Sequence, residues 1–252
     1  MMAETFTGIA LTGTGSAVPD ITLTNDDLAQ VVETSDEWIK SRTGIHSRRV
    51  LSAKENLTSL AVQAGKQALL SAGLAATDIN LIILATSTAD DRFGNATRIQ
   101  YELGAKWAVA FDLNAACSGF VFGLITAAQF IRTGAYRNIL LIGADVLSHW
   151  IDWSDRRTCV LFGDAAGAVV IQAHDEDRLL GFEMRSDGSS YNQLNIPFHT
   201  QLRPLTDDVS IGQGSFMPIT MNGQEIYKFA VRSVPEIIDK ALFRSGVSHV
   251  DL

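Results

Sequence analysis

Apolar residues in this chain fall in short blocks, some as unbroken runs and others at helical spacing. LIILAT (81–86) is an unbroken run of strand length and predicts a strand buried on both faces. Leu57, Leu60, Ala61, Ala64, Ala68 and Leu69 share one side of a helix over 56–72, and Gly73 stands where a cap would end it. The same reading places helices over 96–103 and 118–132, and strands over 107–113 and 138–142. FTGIALTGTGS (6–16) reads as a strand running into a turn. TNDDLAQVVE (24–33) and TSDEWIKSR (34–42) read as short helices, with Thr24/Asp27 and, more closely, Thr34/Glu37 resembling capping boxes. Thr158–Phe162 and Ala166–Gln172 read as neighbouring strands about the glycine turn FGDAAGA. This alternation of strand and helix is the pattern of an α/β protein.

One pattern recurs. QALLSAGLAATDINL (67–81) is echoed by KALFRSGVSHVDL (240–252), with a loop expected to be about two residues shorter. Each reads as a helix end followed by a strand entrance. The first copy continues into LIILAT, whereas the second reaches Leu252 where its strand should begin, so a fold of two similar halves is expected to be cut inside its second half.

Composition narrows the function classes. The 252 residues are 46% hydrophobic and 19% charged, and the net charge of −8 argues against broad nucleic-acid or anionic-membrane binding. The most apolar run, Cys117–Ile131, is too short for a membrane span and is interrupted by Thr126 and Gln129. The N-terminus has no basic segment followed by an apolar one, so no secretory signal is read there. Two cysteines, Cys117 and Cys159, are too few for a disulfide framework, which fits a reducing cytoplasm or a plastid reached by a transit peptide since removed.

Chemistry concentrates in FDLNAACSGF (111–120), where a strand gives way to a helix apolar on nearly every face, expected to be central. A thiolate at that helix start would meet free backbone N–H groups and the positive end of the helix dipole. The competing reading is a small buried residue, which is how Cys159, between strand-like residues, is read. GTGS (13–16) lacks the third glycine of a dinucleotide loop, and the five histidines show no zinc-site spacing, so neither cofactor nor metal is expected. Lys40, Arg42, Arg48 and Arg49, with Arg156 and Arg157, form local positive patches, by default solvated surface charge.

TSDEWIKSRTGI (34–45), FDLNAACSGF (111–120), SDRRTCVLFGDAAGA (154–168) and MNGQEIYKFAV (221–231) together resemble β-ketoacyl-acyl-carrier-protein synthase III, a thiolase-like family that starts fatty-acid chains. The resemblance runs from about residue 7 to the end and makes Cys117 the acyl-accepting nucleophile. It implies a thiolase-like α/β fold of two similar βα halves in an αβαβα layering. Residues 1–175 would carry the nucleophile and 176–252 begin the second half. It further implies that Trp38 stacks on the adenine of coenzyme A, with Arg42, Arg156 and Thr34 close to the nucleotide. Phe93 would close the acyl pocket of a partner in a homodimer, Leu147 and Phe162 would line the pocket locally, and Met221 and Gly223 would border the pantetheine tunnel. Gln224 stands where some members have Asn, and Arg157 and Ala165 replace glycines of some relatives.

The family's second-stage residues, a His in an HQAN-like motif and an Asn in a GNTSAA-like stretch, have no counterpart in these 252 residues. Acyl-coenzyme A and acyl carrier protein are the partners implied, with no nucleic acid and no membrane. Acyl transfer is therefore expected to be better supported than condensation. The rival readings are a polyketide- or quinolone-type starter enzyme of the same fold, and a short non-condensing paralogue that binds acyl-coenzyme A.

Overall fold

The computed structural model describes residues 8–251. Phe6, Thr7 and Leu252, which the sequence places at strand ends, lie outside that range. The first half contains β1 (Gly8–Ala17), β2 (Ile21–Thr24), α1 (Asn25–Leu28), α2 (Asp36–Thr43), β3 (Ser47–Val50) and α3 (Leu57–Ala72). It continues through β4 (Leu81–Ala85), α4 (Ala96–Leu103), β5 (Val109–Leu113), α5 (Gly119–Arg132), β6 (Asn138–Val146) and β7 (Asp164–His174). Beyond them follow β8 (Leu194–Asn195), β9 (Phe198–Pro204), β10 (Ser210–Phe216), β11 (Thr220–Met221) and α6 (Gly223–Ser245).

Five strands form a mixed sheet in the order β1-β7-β6-β4-β5. β4 runs parallel to both β5 and β6, while β7 is antiparallel to β6 and β1. Alternate residues of β4 supply two cores, because side chains of a strand point to opposite faces. Ile82 and Leu84 pack with α3 and α4, and Leu81 and Ile83 pack with α5. Covered on both faces, the strand has no position where a polar residue would meet water, which explains the unbroken run LIILA.

α5 is less enclosed than its composition predicts. Gly123, Ala127, Ala128 and Ile131 bury one face against the sheet, whereas Val121 is half exposed on the other. α6 has no buried residue among those described, and Tyr227, Phe229, Val231 and Phe243 face outward. Its ties to the preceding segment are polar: Arg244 pairs with Glu183 at 2.7 Å and Arg185 with Glu236 at 3.1 Å.

The two echoing segments fold alike. Gly73 and Gly246 both end their helices in the left-handed region, at φ of 67° and 69°. Leu74 N–H then returns to the Leu69 carbonyl, and Val247 N–H to that of Leu242. Each cap leads into a 3₁₀ turn, Ala76–Asp78 and His249–Asp251, whose last carboxylate accepts from the N–H of Ala75 or Ser248. The copies correspond residue for residue from glycine to aspartate, and the expected shortening falls after the aspartate, outside the described residues.

Four other expectations change. GTGS is not a turn: β1 runs straight through it, shifting register between Leu11 and Gly13, because α3 lies directly on the strand. A Cβ at Gly13 would overlap the Ala68 carbonyl, and one at Gly15 the Ala64 carbonyl. Thr158–Phe162 is not a strand but a tight turn, in which Thr158 and Cys159 N–H both reach the Asp155 carbonyl. Ser35, rather than Thr34, caps α2 by accepting from Trp38 N–H at 3.1 Å. Arg48 is not solvated; it is 5% exposed.

Candidate active site

β5 ends at Leu113, and the chain turns through a 3₁₀ turn, Ala116–Ser118, into α5. Ala116 is the one non-glycine residue among those described with positive φ, at 45°. That left-handed step turns the strand sharply enough to leave Cys117 exposed at the bend. Ala116 N–H donates to the Asn114 side chain, Ser118 N–H to the Ala115 carbonyl and Gly119 N–H to that of Ala116. The Cys117 N–H has no acceptor among the described residues, which leaves it free beside its own sulfur. Gly119 allows the close approach of α5 to β4, since a Cβ there would stand 3.3 Å from that of Ala85.

Cys117 opens into a cavity of about 930 Å³. Its walls come from distant segments: Phe93 and Arg92 before α4, Phe111 on β5, Leu147 and Trp150 after β6, Phe162 before β7, and Leu194, Phe216 and Ile219 beyond. Leu147 and Phe162, named from the sequence for the local pocket, line the same cavity as the thiol, and so does Phe93, which was expected at a partner's pocket. Phe93 lies fully exposed at the rim. Sequence reasoning missed the carboxylates that set this wall. Asp145 accepts from Ser87 N–H at 2.9 Å and from the Thr88 hydroxyl at 2.9 Å, and Asp112 accepts from the N–H groups of Asn95 and Ala96 to cap α4. It also missed Arg92, whose guanidinium lies 4.5 Å from the Phe216 ring centre. None of the five histidines lines the cavity, and His249 pairs instead with Asp239 at 2.8 Å.

A second cluster stands apart from the cavity lining. Arg156 stacks over the Trp38 indole at 5.2 Å and donates to the Glu33 carbonyl at 2.9 Å, next to Thr34. Thr34 Oγ is buried without a partner among the described residues, and Arg42 follows Trp38 by one helical turn on the same side of α2. One apolar cluster joins this platform to the cavity: Leu28, Ile39, Cys159, Val160 and Ile219 form its core, and Trp38, Leu147, Phe162 and Leu194 pack against it. Met221 pairs with the cavity residue Leu194 across β11 and β8; Gly223 and Gln224 follow at the exposed start of α6. Arg157 is held away in a surface pair with Asp155, and Ala165 is exposed at the start of β7.

The two thiols differ sharply. Cys159 is fully buried, and burial, reinforced by the nearby Asp155 carboxylate, pushes its thiol above the ordinary range, with the Arg48 guanidinium opposing.

Comparison with known proteins finds relatives along nearly the whole chain. The family model for 3-oxoacyl-[acyl-carrier-protein] synthase III matches residues 111–188, the stretch from β5 past β7 that contains Cys117. A β-ketoacyl-[acyl-carrier-protein] synthase III of Nostoc sp. is 63% identical over 96% of this chain and 73% of its own length. Its counterpart from Acaryochloris marina is 58% identical over 100% of this chain and 76% of its own. Among solved structures, the 3-oxoacyl-[acyl-carrier-protein] synthase III of Aquifex aeolicus superposes with a TM-score of 0.85 at 43% identity, covering 96% of this chain and 73% of that one. With an exposed cysteine at the same strand-to-helix bend that the family match spans, and with relatives this similar along nearly the whole sequence, the chain belongs to the β-ketoacyl-acyl-carrier-protein synthase III family.

Proposed function

We propose that the chain accepts a short acyl group, acetyl in the first instance, from acyl-coenzyme A onto Cys117, as the opening stage of a condensation with malonyl-acyl carrier protein that starts fatty-acid synthesis. The observation that carries this reading is the exposed Cys117 at a strained bend, facing a cavity lined by Phe111, Leu147 and Phe162. The nucleotide end of the donor stacks on Trp38 between Arg42 and Arg156, and its pantetheine arm runs past Met221 and Gly223 toward the thiol. No metal or further cofactor enters this stage, because the thioester supplies its own leaving group.

Cys117 loses its proton to solvent, and the thiolate attacks the thioester carbon. The carbonyl oxygen becomes an oxyanion within reach of the free Cys117 N–H and the N-terminal end of α5. Collapse breaks the carbon–sulfur bond to coenzyme A, which leaves as a thiolate and takes a proton from water. The acyl group remains as a thioester on Cys117. In the next stage malonyl-acyl carrier protein loses carbon dioxide, and its carbanion attacks that thioester. The family resemblance assigns stabilisation of this enolate to a His and an Asn in motifs that the 252 residues do not contain.

A homodimer fits the same reading. Among the described residues β5 pairs only with β4, so its outer edge offers backbone groups without a strand partner there, and the exposed Val109, Trp107 and Phe93 lie along or beside it. A second copy added at this edge would bring its Phe93 toward the neighbouring cavity. No described helix is long and apolar enough to cross a membrane, and a cytoplasmic setting suits the reduced thiols.

The test is direct. Incubated with radiolabelled acetyl-coenzyme A, the chain should acquire label on Cys117, and Cys117→Ala should acquire none. The 252-residue chain by itself should not release acetoacetyl-acyl carrier protein. Absence of label from Cys117 in folded protein would refute the proposal.

A further inference from the structure

Arg48 is a buried cation without a counter-ion. It is 5% exposed, and no carboxylate among the described residues pairs with it. Burying a guanidinium costs free energy unless hydrogen bonds replace its water, and burial does push this group below its ordinary range. The replacements come from three separate elements. Arg48 donates to the Leu23 carbonyl on β2 at 3.3 Å, to Asn25 Oδ1 on α1 at 2.8 Å and to the Val160 carbonyl in the turn before β7 at 3.1 Å. Its Nε has no partner among the described residues.

Asn25 extends this spine. It is 1% exposed, and its Nδ2 donates to Asp36 Oδ1 at 2.9 Å and to the Ile45 carbonyl at 2.8 Å, at the two ends of α2. Lys40 and Asn25 hold the Asp36 carboxyl below its usual range, so it accepts as an anion. One end of the spine therefore grips the turn that carries Arg156, and the other grips the helix that carries Trp38. Those are the two halves of the stack described above, and the spine is a polar connection behind it, besides the Arg156 bond to the Glu33 carbonyl.

We propose that Arg48, acting through Asn25, is the positioning residue that sets the Trp38–Arg156 platform for the nucleotide of coenzyme A. The inference rests on the assignment of that platform under the proposed function. A guanidinium is needed because one nitrogen bonds Asn25 and Val160 together while a second reaches Leu23; a lysine ammonium, a compact point charge, cannot span all three in the same plane. An apolar residue would leave the Val160 carbonyl and Asn25 Oδ1 buried and unsatisfied, so the turn would shift away from α2.

Free coenzyme A is the probe, titrated by calorimetry into the purified chain and its Arg48→Met, Arg48→Lys and Trp38→Ala variants, with iodoacetamide labelling of Cys117 followed in parallel. Arg48→Met should weaken binding about tenfold and Arg48→Lys about threefold, as expected for hydrogen bonds to a charged group, while the labelling rate of Cys117 stays within about twofold. On a Trp38→Ala background, Arg48→Met should cost less than about twofold, because it acts through a platform already removed. Folded Arg48→Met with parental affinity, or a loss that adds in full to that of Trp38→Ala, would overturn the proposal. An equal fall in Cys117 labelling would also overturn it, by assigning Arg48 to general packing. If Arg48→Met does not fold, Arg48→Lys is read by the same criteria. Unchanged affinity in Trp38→Ala refutes the platform itself, an outcome distinct from failure of Arg48 alone.

Discussion

Alkylation of the two cysteines should separate by about two orders of magnitude. Cys117 is exposed at its bend, so iodoacetamide reaches it in the native state. Cys159 is fully buried among Leu28, Ile39, Ile151, Val160 and Ile219, so the reagent reaches it only when that cluster opens. An opening that costs about 3 kcal/mol, between terminal fraying and global unfolding, slows labelling about 150-fold. The burial that raises its thiol value is lost on opening, so the opening cost alone sets the ratio. Mass-spectrometric mapping of adducts over time, near neutral pH, reads the ratio. Labelling of Cys159 within about tenfold of Cys117 would mean the cluster opens for less than about 1.4 kcal/mol and would refute this account of the second thiol.

The same group gives a pH dependence. Between the ordinary thiol value and the raised folded value, the unfolded chain has lost the Cys159 proton while the folded chain keeps it. The unfolded state is therefore favoured as pH climbs through that window, and stability falls; below the ordinary value the group contributes nothing. Urea melts across the alkaline range should decline less steeply for Cys159→Ala than for the parent, and parallel declines would contradict the assignment.

Two further substitutions probe packing and platform. Gly15→Ala should destabilise the chain by about 2 kcal/mol, because the new Cβ meets the Ala64 carbonyl and backbone cannot rotate away; a change under about 0.5 kcal/mol in urea unfolding would show that α3 does not press on β1 as described. Trp38→Ala and Arg156→Ala should each weaken coenzyme A binding, with a coupling of about 0.5–1 kcal/mol in the double-mutant cycle for the cation–aromatic stack at 5.2 Å; strict additivity in calorimetry would show that the two act separately.

Much of the scaffold was legible because local and tertiary preferences agree. Asn56 and Gly73 bracket α3 at the residues where the apolar period stops, and β4 is apolar throughout because both its faces are covered. Misreadings arose where a distant element decided the outcome. Gly13 and Gly15 look like turn residues in isolation, and only the helix lying on them explains why small residues persist inside a strand. Thr158–Phe162 has the composition of a strand, but five apolar-rich residues are buried as well by a turn tucked into a core, as Cys159 and Val160 are. Thr34 and Ser35 are adjacent hydroxyls at the start of α2, and a one-residue difference in where the chain enters the helix selects Ser35. Arg48 carries no local mark of burial at all. The cavity was half legible: Leu147 and Phe162 came from motif resemblance, whereas Phe93, expected at a partner's pocket, and Trp150, Phe216 and Asp145 are united with Cys117 only by the fold.

Ala116 is the element of the site that no pattern reading suggests, and its backbone makes a last prediction. At φ of 45°, an alanine pays a penalty that glycine would escape, of the order of 1 kcal/mol. Ala116→Gly removes that strain but also loosens the unfolded chain, a term of about 0.4–1 kcal/mol in the opposite sense, so the two nearly cancel. The expected stability change is close to zero. A β-branched residue has no such balance, because its second Cγ crowds a backbone already in the left-handed region. Ala116→Val should therefore destabilise the chain by about 2 kcal/mol, the range for a residue held at an unfavourable φ. More tellingly, it should slow Cys117 alkylation, since relaxing the bend withdraws the sulfur from the cavity mouth. Urea unfolding and the alkylation rate measured on the same preparation separate the two effects. If Ala116→Val matched the parent in both, the bend would not depend on the left-handed step, and the geometry that presents Cys117 would need another cause.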